Sequence, residues 1–346
     1  MYAVFCMKER MVNHPMNENT AVVEVKNLKK YFYGNKRLGS KERPVVKAVN
    51  DVSFTIREGE TFGIVGESGC GKSTLGRTLI RLLEPTEGQV LFQGKDLSKL
   101  SQEEMRKMRQ EIQIIFQDPY ASLNPKMTVR ELIQAPLDIF SNDSAQEKLE
   151  KVKNIMKMVG LQEEWLSKYP HEFSGGQRQR IVIARALILN PKFVFCDEPV
   201  SALDVSVRAQ VLNLMKKIQK EQNLTYLFIS HDLSVVRFLC DRIAVMYLGK
   251  IVEIADKESL YEHPLHPYSE ALLSAIPIPD VDIRQERILL EGDIPSPYNL
   301  PSGCPFHTRC RYAAEVCRHQ EPVLTEIEEG HYVMCHRYQT QGKENA

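Results

Sequence analysis

The segment Gly66-Glu-Ser-Gly-Cys-Gly-Lys-Ser73 constrains the fold of this chain more than any other part of its sequence. It fits the pattern G-x-x-x-x-G-K-[ST], in which glycines let successive backbone N–H groups turn towards a phosphate. An apolar strand pattern precedes it at Thr61–Val65, and an amphipathic helical pattern begins at Lys72. A helix N-terminus there adds a partial positive charge that favours an anion. We therefore predict a strand, a phosphate loop and a helix within an α/β fold; the alternative is a glycine-rich turn with a surface lysine.

The residues of this loop are predicted to hold a nucleotide and its magnesium ion. Lys72 can reach the β- and γ-phosphates, and the hydroxyl group of Ser73 is suited to Mg²⁺. The other loop residues predicted to contact the nucleotide are Gly66, Ser68, Gly69, Cys70, Gly71 and Thr74.

Two carboxylates stand at the end of another apolar strand pattern, Phe193-Val-Phe-Cys-Asp197-Glu198. Asp197 is predicted to hold the Mg²⁺ shell, and Glu198 to polarise a water molecule for in-line attack on the γ-phosphate. Alone, an apolar run followed by Asp-Glu is usually a strand that meets solvent. A phosphate loop in the same chain favours the catalytic interpretation.

A second candidate phosphate site is the turn Ser174-Gly-Gly-Gln177, which opens a helical pattern. A Ser-Gly-Gly turn at a helix N-terminus presents unobstructed N–H groups and a hydroxyl group to an anion. Taken by itself, the turn is more typical of an ordinary N-cap with a tight turn. Phe173 precedes the turn and supplies an apolar anchor.

The remaining pattern alternates between strands and helices, which favours a largely parallel sheet covered on both faces. The helix that begins at Lys72 is predicted to continue until Pro85 ends it. Residues 120–185 are predicted to be mainly helical, and Ser144 with Glu147 resembles a capping box. The other predicted strands are Ala21–Val25, Phe54–Ile56, Phe193–Cys196, Thr225–Ile229 and Ile243–Met246.

Composition excludes several classes of protein. The 346 residues suggest about two structural units, and a content of only 18 Gly and 18 Pro residues, about a tenth of the chain, excludes a fibrous or disordered chain. No apolar run approaches the ~18 residues of a transmembrane helix, and the N-terminus lacks the pattern of a secretory signal. We therefore expect a soluble, cytoplasmic protein. Equal numbers of basic and acidic residues, 45 each, disfavour a nucleic-acid binder.

The order of the motifs resembles that of the ATPase subunit of an ABC transporter. The resemblance implies a RecA-like α/β core, an antiparallel β subdomain and a helical insert at about residues 120–185. It places a nucleotide-binding domain at 21–260, after a flexible lead at 1–20, and a C-terminal extension at 261–346. The motifs that carry it are Gly66–Ser73, Gln117, Ser174–Gln177, Asp197–Glu198, Ser201–Asp204 and His231.

This resemblance implies a mechanism that needs two chains. In the family, two subunits pack head to tail, and the Ser-Gly-Gly turn of one closes over ATP held by the phosphate loop of the other. By resemblance, Gln117 senses Mg²⁺ and the attacking water and links to the membrane subunits. His231 would hold the γ-phosphate and the water, and Asp204 would communicate across the dimer.

An aromatic run near the N-terminus, Tyr31-Phe-Tyr33, is the predicted adenine site. By resemblance, we expect the ring of Phe32 to stack on the base, with Tyr31 or Tyr33 as alternates. A core position for Phe32 in the first sheet is the competing interpretation.

Three further segments resemble the ATPases of dipeptide and oligopeptide importers: 117–125, 169–177 and 263–269. The signature ends in Gln177, as in the second of the two ATPases that these importers pair. The implied partners are a second ABC ATPase subunit, two transmembrane permease subunits and, indirectly, an extracellular peptide-binding protein. The implied location is peripheral, on the cytoplasmic face of the cell membrane. Importers of nickel and other small solutes share much of the pattern, so the substrate remains open.

Four cysteines near the C-terminus, Cys304, Cys310, Cys317 and Cys335, are a candidate metal site. They contain no C-x-x-C pair, and four thiolates suit either a [4Fe–4S] cluster or tetrahedral Zn²⁺. Four buried, unligated cysteines are the alternative. Because importer ATPases with this tail carry an iron–sulfur cluster, the resemblance favours iron, in a structural role.

A soluble ABC ATPase that acts on DNA is the rival class of function. The chromosome-organising type separates its two nucleotide motifs by a very long coiled coil, whereas here only 125 positions separate Lys72 from Asp197. Neutral net charge also disfavours it. Intact Lys72, Glu198 and His231 disfavour a non-catalytic regulatory partner.

Overall fold

The computed structural model of the protein describes residues 21–34, 43–276 and 287–339. The predicted lead at 1–20 and residues 35–42 lie outside these ranges. The described strands are β1 (Ala21–Tyr33), β2 (Val45–Arg57), β3 (Thr61–Val65), β4 (Glu87–Phe92), β5 (Lys95–Asp96), β6 (Ile112–Ile115), β7 (Phe193–Asp197), β8 (Thr225–Ile229), β9 (Arg242–Tyr247), β10 (Lys250–Asp256), β11 (Thr325–Glu328) and β12 (His331–Val333). The described helices are α1 (Lys72–Leu79), α2 (Gln102–Met108), α3 (Pro119–Ser122), α4 (Val129–Phe140), α5 (Ala145–Met158), α6 (Gly175–Leu187), α7 (Val205–Gln222), α8 (Leu233–Leu239), α9 (Lys257–Glu262), α10 (Pro267–Ser274), α11 (Glu315–His319) and α12 (His336–Gln339).

The larger sheet has the strand order β11-β12-β10-β9-β3-β8-β7-β6. β3, β7 and β8 consist of buried residues throughout, which is why their sequences are continuous apolar runs rather than alternating ones. β6, β7, β8, β3 and β9 pair in parallel, whereas β10 and β12 are antiparallel to their neighbours. The sheet is therefore mixed, with a parallel half that matches the prediction.

The second sheet is antiparallel and has the order β2-β1-β4-β5. β1 and β2 extend well beyond the short strands predicted at Ala21–Val25 and Phe54–Ile56. Irregular pairing interrupts their alternation, and Asn27 and Asp51 take positive φ angles of 47° and 62° at the interruptions. Such bulges conceal a long strand from a period-2 pattern, because one extra residue reverses which side chains face inwards.

Between β6 and β7 the described chain is helical, as predicted for residues 120–185. Ser144 and Glu147 form the predicted capping box of α5, and Thr128 with Glu131 forms another at α4. The prediction that the first helix continues to Pro85 is wrong: α1 ends at Leu79, and Arg81 takes a left-handed φ of 54°.

The C-terminal region, meaning the described residues from 261 onwards, packs on the larger sheet. β12 pairs with β10 and β11 pairs with β12, which extends the larger sheet. Phe306, Val333 and Met334 are buried in the protein interior. Burial and strand pairing therefore order this region. Within the described ranges, no helix has the length and apolar character needed to cross a bilayer.

Candidate functional site

The loop between β3 and α1 has the backbone shape of a phosphate cradle. Gly66 and Gly71 take positive φ angles of 149° and 109°, and a Cβ atom at either would lie about 2 Å from a backbone oxygen, that of Met246 or Ala48 respectively. Only glycine fits these positions, so the loop keeps its N–H groups clear of side chains. The residues present therefore fit the phosphates of a nucleotide.

Lys72 lies at the start of α1 and is largely buried. Its Nζ donates hydrogen bonds to the carbonyl oxygens of Gly66, at 2.8 Å, and Glu67, at 3.0 Å. The ammonium group is thus held inside the curve of the loop, where it can exchange a carbonyl partner for a phosphate oxygen.

Three further predicted residues come together because parallel strands end at one edge of the sheet. Gln117 follows β6, Glu198 follows β7 and His231 follows β8. β3, which precedes the phosphate loop, ends at the same edge. Ligand sites of parallel α/β sheets lie at this carboxyl edge.

The carboxylate of Glu198 is the meeting point of these side chains. Its Oε2 accepts a hydrogen bond from Nε2 of Gln117 at 3.2 Å and lies 3.0 Å from Nδ1 of His231. Glu198 has a positive φ of 49°, an uncommon conformation for a residue with a side chain. Such strain is typical of functional sites, where the surrounding structure fixes the direction of one side chain.

Asp197 has a different environment, because it is the last residue of β7 and its side chain is only 2% exposed. Its Oδ1 accepts a hydrogen bond from Oγ of Ser73 at 2.6 Å, and its Oδ2 lies 3.1 Å from Nη2 of Arg77. A hydroxyl group with an adjacent carboxylate is the oxygen donor set that Mg²⁺ prefers when it also binds phosphates. These residues fit a magnesium ion beside the loop.

Lys72, Ser73, Gln117, Glu198 and His231 line a cleft of about 690 Å³, whereas Gly66 and Asp197 lie outside its lining. Phe32 lines it and is 41% exposed, so it is not the core aromatic of the competing interpretation. Tyr31 instead donates its hydroxyl hydrogen to Asn50, and Tyr33 is 59% exposed. The lining residues are Phe32, Val46–Ala48, Ser68–Thr74, Gln117, Glu198, His231, Leu248, Gly249, Pro297 and Leu300.

The structure does not bring the Ser-Gly-Gly turn into this cleft. Ser174 caps α6 through a reciprocal pair of hydrogen bonds with Gln177, and neither residue lines the cleft. Gly176 lies against Val207 of α7, Gly175 is half-buried beside it, and Asp204 is exposed. In a single chain, these signature residues are therefore separate from the phosphate loop.

Sequence reasoning missed the contribution of the C-terminal region to the cleft. Pro297 and Leu300 line it, although more than 200 positions separate them from the phosphate loop. Contacts across such a separation leave no periodic signal in a single sequence.

The prediction that Cys304, Cys310, Cys317 and Cys335 bind a [4Fe–4S] cluster, or zinc, is wrong. Among residues 21–34, 43–276 and 287–339, no group of three or more His, Cys, Asp or Glu side chains could hold a metal ion. All four cysteines are free. Burial raises the pKa of Cys304 to about 12 and also raises those of Cys310 and Cys335. Packing and strand pairing provide the order that the prediction attributed to metal.

The fold and the cleft are those of an ATP-binding cassette, and comparisons with known proteins agree. A family model described as "ABC transporter" matches residues 49–201, and one described as "Oligopeptide/dipeptide transporter, C-terminal region" matches residues 252–317. The oligopeptide transport ATP-binding protein AppF of Bacillus subtilis is 54% identical and covers 93% of this chain and 98% of its own length. The oligopeptide transport ATP-binding protein OppF of Haemophilus influenzae is 51% identical, over 90% of this chain and 93% of its own.

Solved structures place the fold in the same class. A dimeric structure of the cassette MJ0796, in a post-hydrolysis state bound to ADP and Pi, has a TM-score of 0.60 and 32% identity, and covers 68% of this chain and 98% of its own. The structure of cbiO1 from Clostridium perfringens has a TM-score of 0.62 and 27% identity, covering 71% and 92%. The chain belongs to the ABC transporter family, in the group of oligopeptide transport ATP-binding proteins. It is an ABC-type ATPase.

Proposed function

We propose that this chain hydrolyses ATP to drive the import of dipeptides or oligopeptides through a membrane transporter. The observation that carries the proposal is the meeting of Lys72, Glu198 and His231 in one cleft, in a chain whose 252–317 region matches the peptide-transporter C-terminal model. Relatives named as transport proteins favour this class over a DNA-acting ATPase. In this proposal residues 21–260 form the nucleotide-binding domain, with its helical insert at about 120–185, and 261–346 form the extension.

The phosphate loop and its neighbours would bind ATP. The N–H groups of the loop and the Lys72 ammonium group would balance the charge of the phosphates. Ser73, Asp197 and Gln117 would hold Mg²⁺, which neutralises charge on the β- and γ-phosphates when it is bound. Phe32, which lines the cleft, would stack on adenine.

Glu198 would act as the general base. Its carboxylate, held by Gln117 and His231, would accept a proton from the water that attacks the γ-phosphate. His231 would then remain beside the departing phosphate and keep the water aligned. The rigid attachment of all three residues to strand ends supports this role, because proton transfer requires a fixed donor–acceptor distance.

A second ATPase subunit would complete the site. Ser174, Gly175, Gln177 and Asp204 lie outside the cleft of their own chain at exposed or half-buried positions, where another subunit's ATP could meet them. The N–H groups at the start of the 13-residue helix α6 suit the γ-phosphate. Dimeric structures of a similar cassette support this arrangement. Two permease subunits would receive the motion at the cytoplasmic face of the membrane, and an extracellular binding protein would deliver the peptide.

The test is transport by the whole assembly in proteoliposomes. We expect ATP-dependent uptake of a labelled tripeptide or pentapeptide, together with peptide-stimulated ATP hydrolysis, and neither with the Lys72→Ala chain. ATP-driven uptake of Ni²⁺ without peptide uptake would show that the substrate proposal is wrong while the ATPase reaction stands. Hydrolysis with no uptake of either solute would contradict the transport role.

Replacing Phe32 with Ala is expected to raise the Kd for Mg-ATP about tenfold, because base–aromatic stacking contributes on the order of 1–3 kcal/mol. The kcat at saturating ATP should stay near wild type, since Phe32 would contact adenine and not the γ-phosphate. Tyr33→Ala is the matched control. Calorimetric titration with Mg-ATP measures the Kd of both variants. A raised Kd in Tyr33→Ala but not in Phe32→Ala would show that adenine stacks on Tyr33 instead.

A further inference from the structure

The second residue of the phosphate loop, Glu67, is held by the C-terminal region. Its carboxylate forms a bidentate salt bridge with Arg309, in which Oε2 lies 2.7 Å from Nη1 and Oε1 lies 3.0 Å from Nη2. Its backbone N–H donates a hydrogen bond to the hydroxyl oxygen of Tyr268, at 2.9 Å. Both the side chain and the main chain of Glu67 are therefore fixed by residues about 200 or more positions away.

Arg309, on the other side of this contact, is packed into the protein interior. The Arg309 side chain is 7% exposed and ends a short 3-10 helix, His307–Arg309. Its guanidinium group lies over the ring of Tyr247, which packs against Tyr268 and the buried Phe306. A partly buried, bidentate Arg–carboxylate pair has one preferred geometry, so it can fix the position of Glu67.

The charge of Glu67 makes this geometry important for nucleotide binding. Glu67 directly precedes Ser68, the first loop residue that lines the cleft, whereas Glu67 itself does not line it. ATP would bring several negative charges to the same loop, and a carboxylate free to turn inwards would repel them. Loss of one partner from a poorly solvated ion pair leaves the other charge uncompensated.

We propose that Arg309 is a positioning residue for ATP: it neutralises Glu67 and holds it turned away from the cleft. The C-terminal region thereby sets the affinity of the phosphate loop for nucleotide. This inference rests on the proposed binding of ATP in the cleft. Through Arg309, the region that matches the peptide-transporter C-terminal model, residues 252–317, would contribute directly to nucleotide binding.

The test compares Mg-ATP binding and steady-state hydrolysis in the full chain and its variants. Arg309→Ala is expected to raise the Kd about tenfold and to leave kcat at saturating ATP within about twofold. Adding Glu67→Gln to it should return the Kd to within about threefold of wild type, because the uncompensated charge is gone. Higher salt should also reduce the defect of Arg309→Ala, since screening weakens the repulsion.

Two further variants keep the test decisive. Arg311→Ala is the matched control, because Arg311 lies two positions away but pairs with Glu270; we expect wild-type binding. Arg309→Lys keeps the positive charge but loses the bidentate geometry. This variant is used in place of Arg309→Ala if Arg309→Ala does not fold.

The outcomes separate the two proposals. Wild-type affinity in the Arg309 variants would overturn the inference. So would a defect that neither Glu67→Gln nor salt relieves, because that would show a merely structural role for Arg309. Failure of the wild-type chain to bind Mg-ATP would instead contradict the proposed function.

Discussion

Replacing Glu198 with Gln is expected to slow ATP hydrolysis by about 10²–10⁴-fold, the range typical of a general base. The amide keeps the shape of the side chain and can still meet Gln117 and His231, which lie 3.2 and 3.0 Å from Oε2. It cannot accept a proton from water at neutral pH. We expect Mg-ATP to bind the variant with near wild-type affinity, so that the bound but unhydrolysed state accumulates.

The measurement is single-turnover hydrolysis with radiolabelled ATP, beside equilibrium binding of the same nucleotide. Glu164→Gln is the matched control, because Glu164 is an exposed residue far along the chain from the cleft motifs. Its rate should equal that of wild type. An unchanged rate in Glu198→Gln would show that the base is a different group.

The part of the site that sequence could predict is the part that local chemistry dictates. Gly66 and Gly71 need backbone angles that only glycine tolerates, so the loop pattern reports its own shape. The apolar runs before Asp197 and His231 report strands buried on both faces. Because these strands pair in parallel, their carboxyl ends lie at the same edge of the sheet, and this places Glu198 and His231 beside the phosphate loop.

The part that could not be predicted depends on interruptions and distant packing. Bulges in β1 and β2 hide strands of 13 residues behind a broken alternation. The left-handed Arg81 ends α1 where the apolar spacing of Leu82 and Leu83 still suggests a helix.

The cysteine prediction failed for a related reason. Four thiols in a short, Pro-rich tail suggest a metal when the tail is considered alone, because such a tail can bury little apolar surface of its own. In the structure the tail shares the core of the main domain through Phe306 and Met334, and β12 pairs with β10. A single sequence does not show which surface a segment will pack against.

Replacing Lys72 with Ala is expected to weaken Mg-ATP binding by about a hundredfold, which corresponds to losing a charge-assisted contact of about 3 kcal/mol. Lys72 is largely buried, and its ammonium group is held by the carbonyl oxygens of Gly66 and Glu67 inside the loop. It is therefore preorganised for phosphate, whereas a mobile surface lysine would lose entropy on binding. Titration with Mg-ATP, followed by calorimetry, measures the loss.

The comparison that gives this result its meaning is with Lys99→Ala. The Lys99 side chain is 74% exposed and pairs with Asp96 at the surface, so the same change of charge there should leave the Kd within about twofold of wild type. Equal losses of Mg-ATP affinity in the two variants would show that Lys72 contributes only through its charge and not through a specific contact with phosphate. A loss of Mg-ATP affinity in Lys72→Ala alone would instead assign Lys72 to nucleotide binding and Glu198 to the chemical step. Glu198→Gln would then impair hydrolysis after ATP has bound, whereas Lys72→Ala would impair the binding of ATP itself.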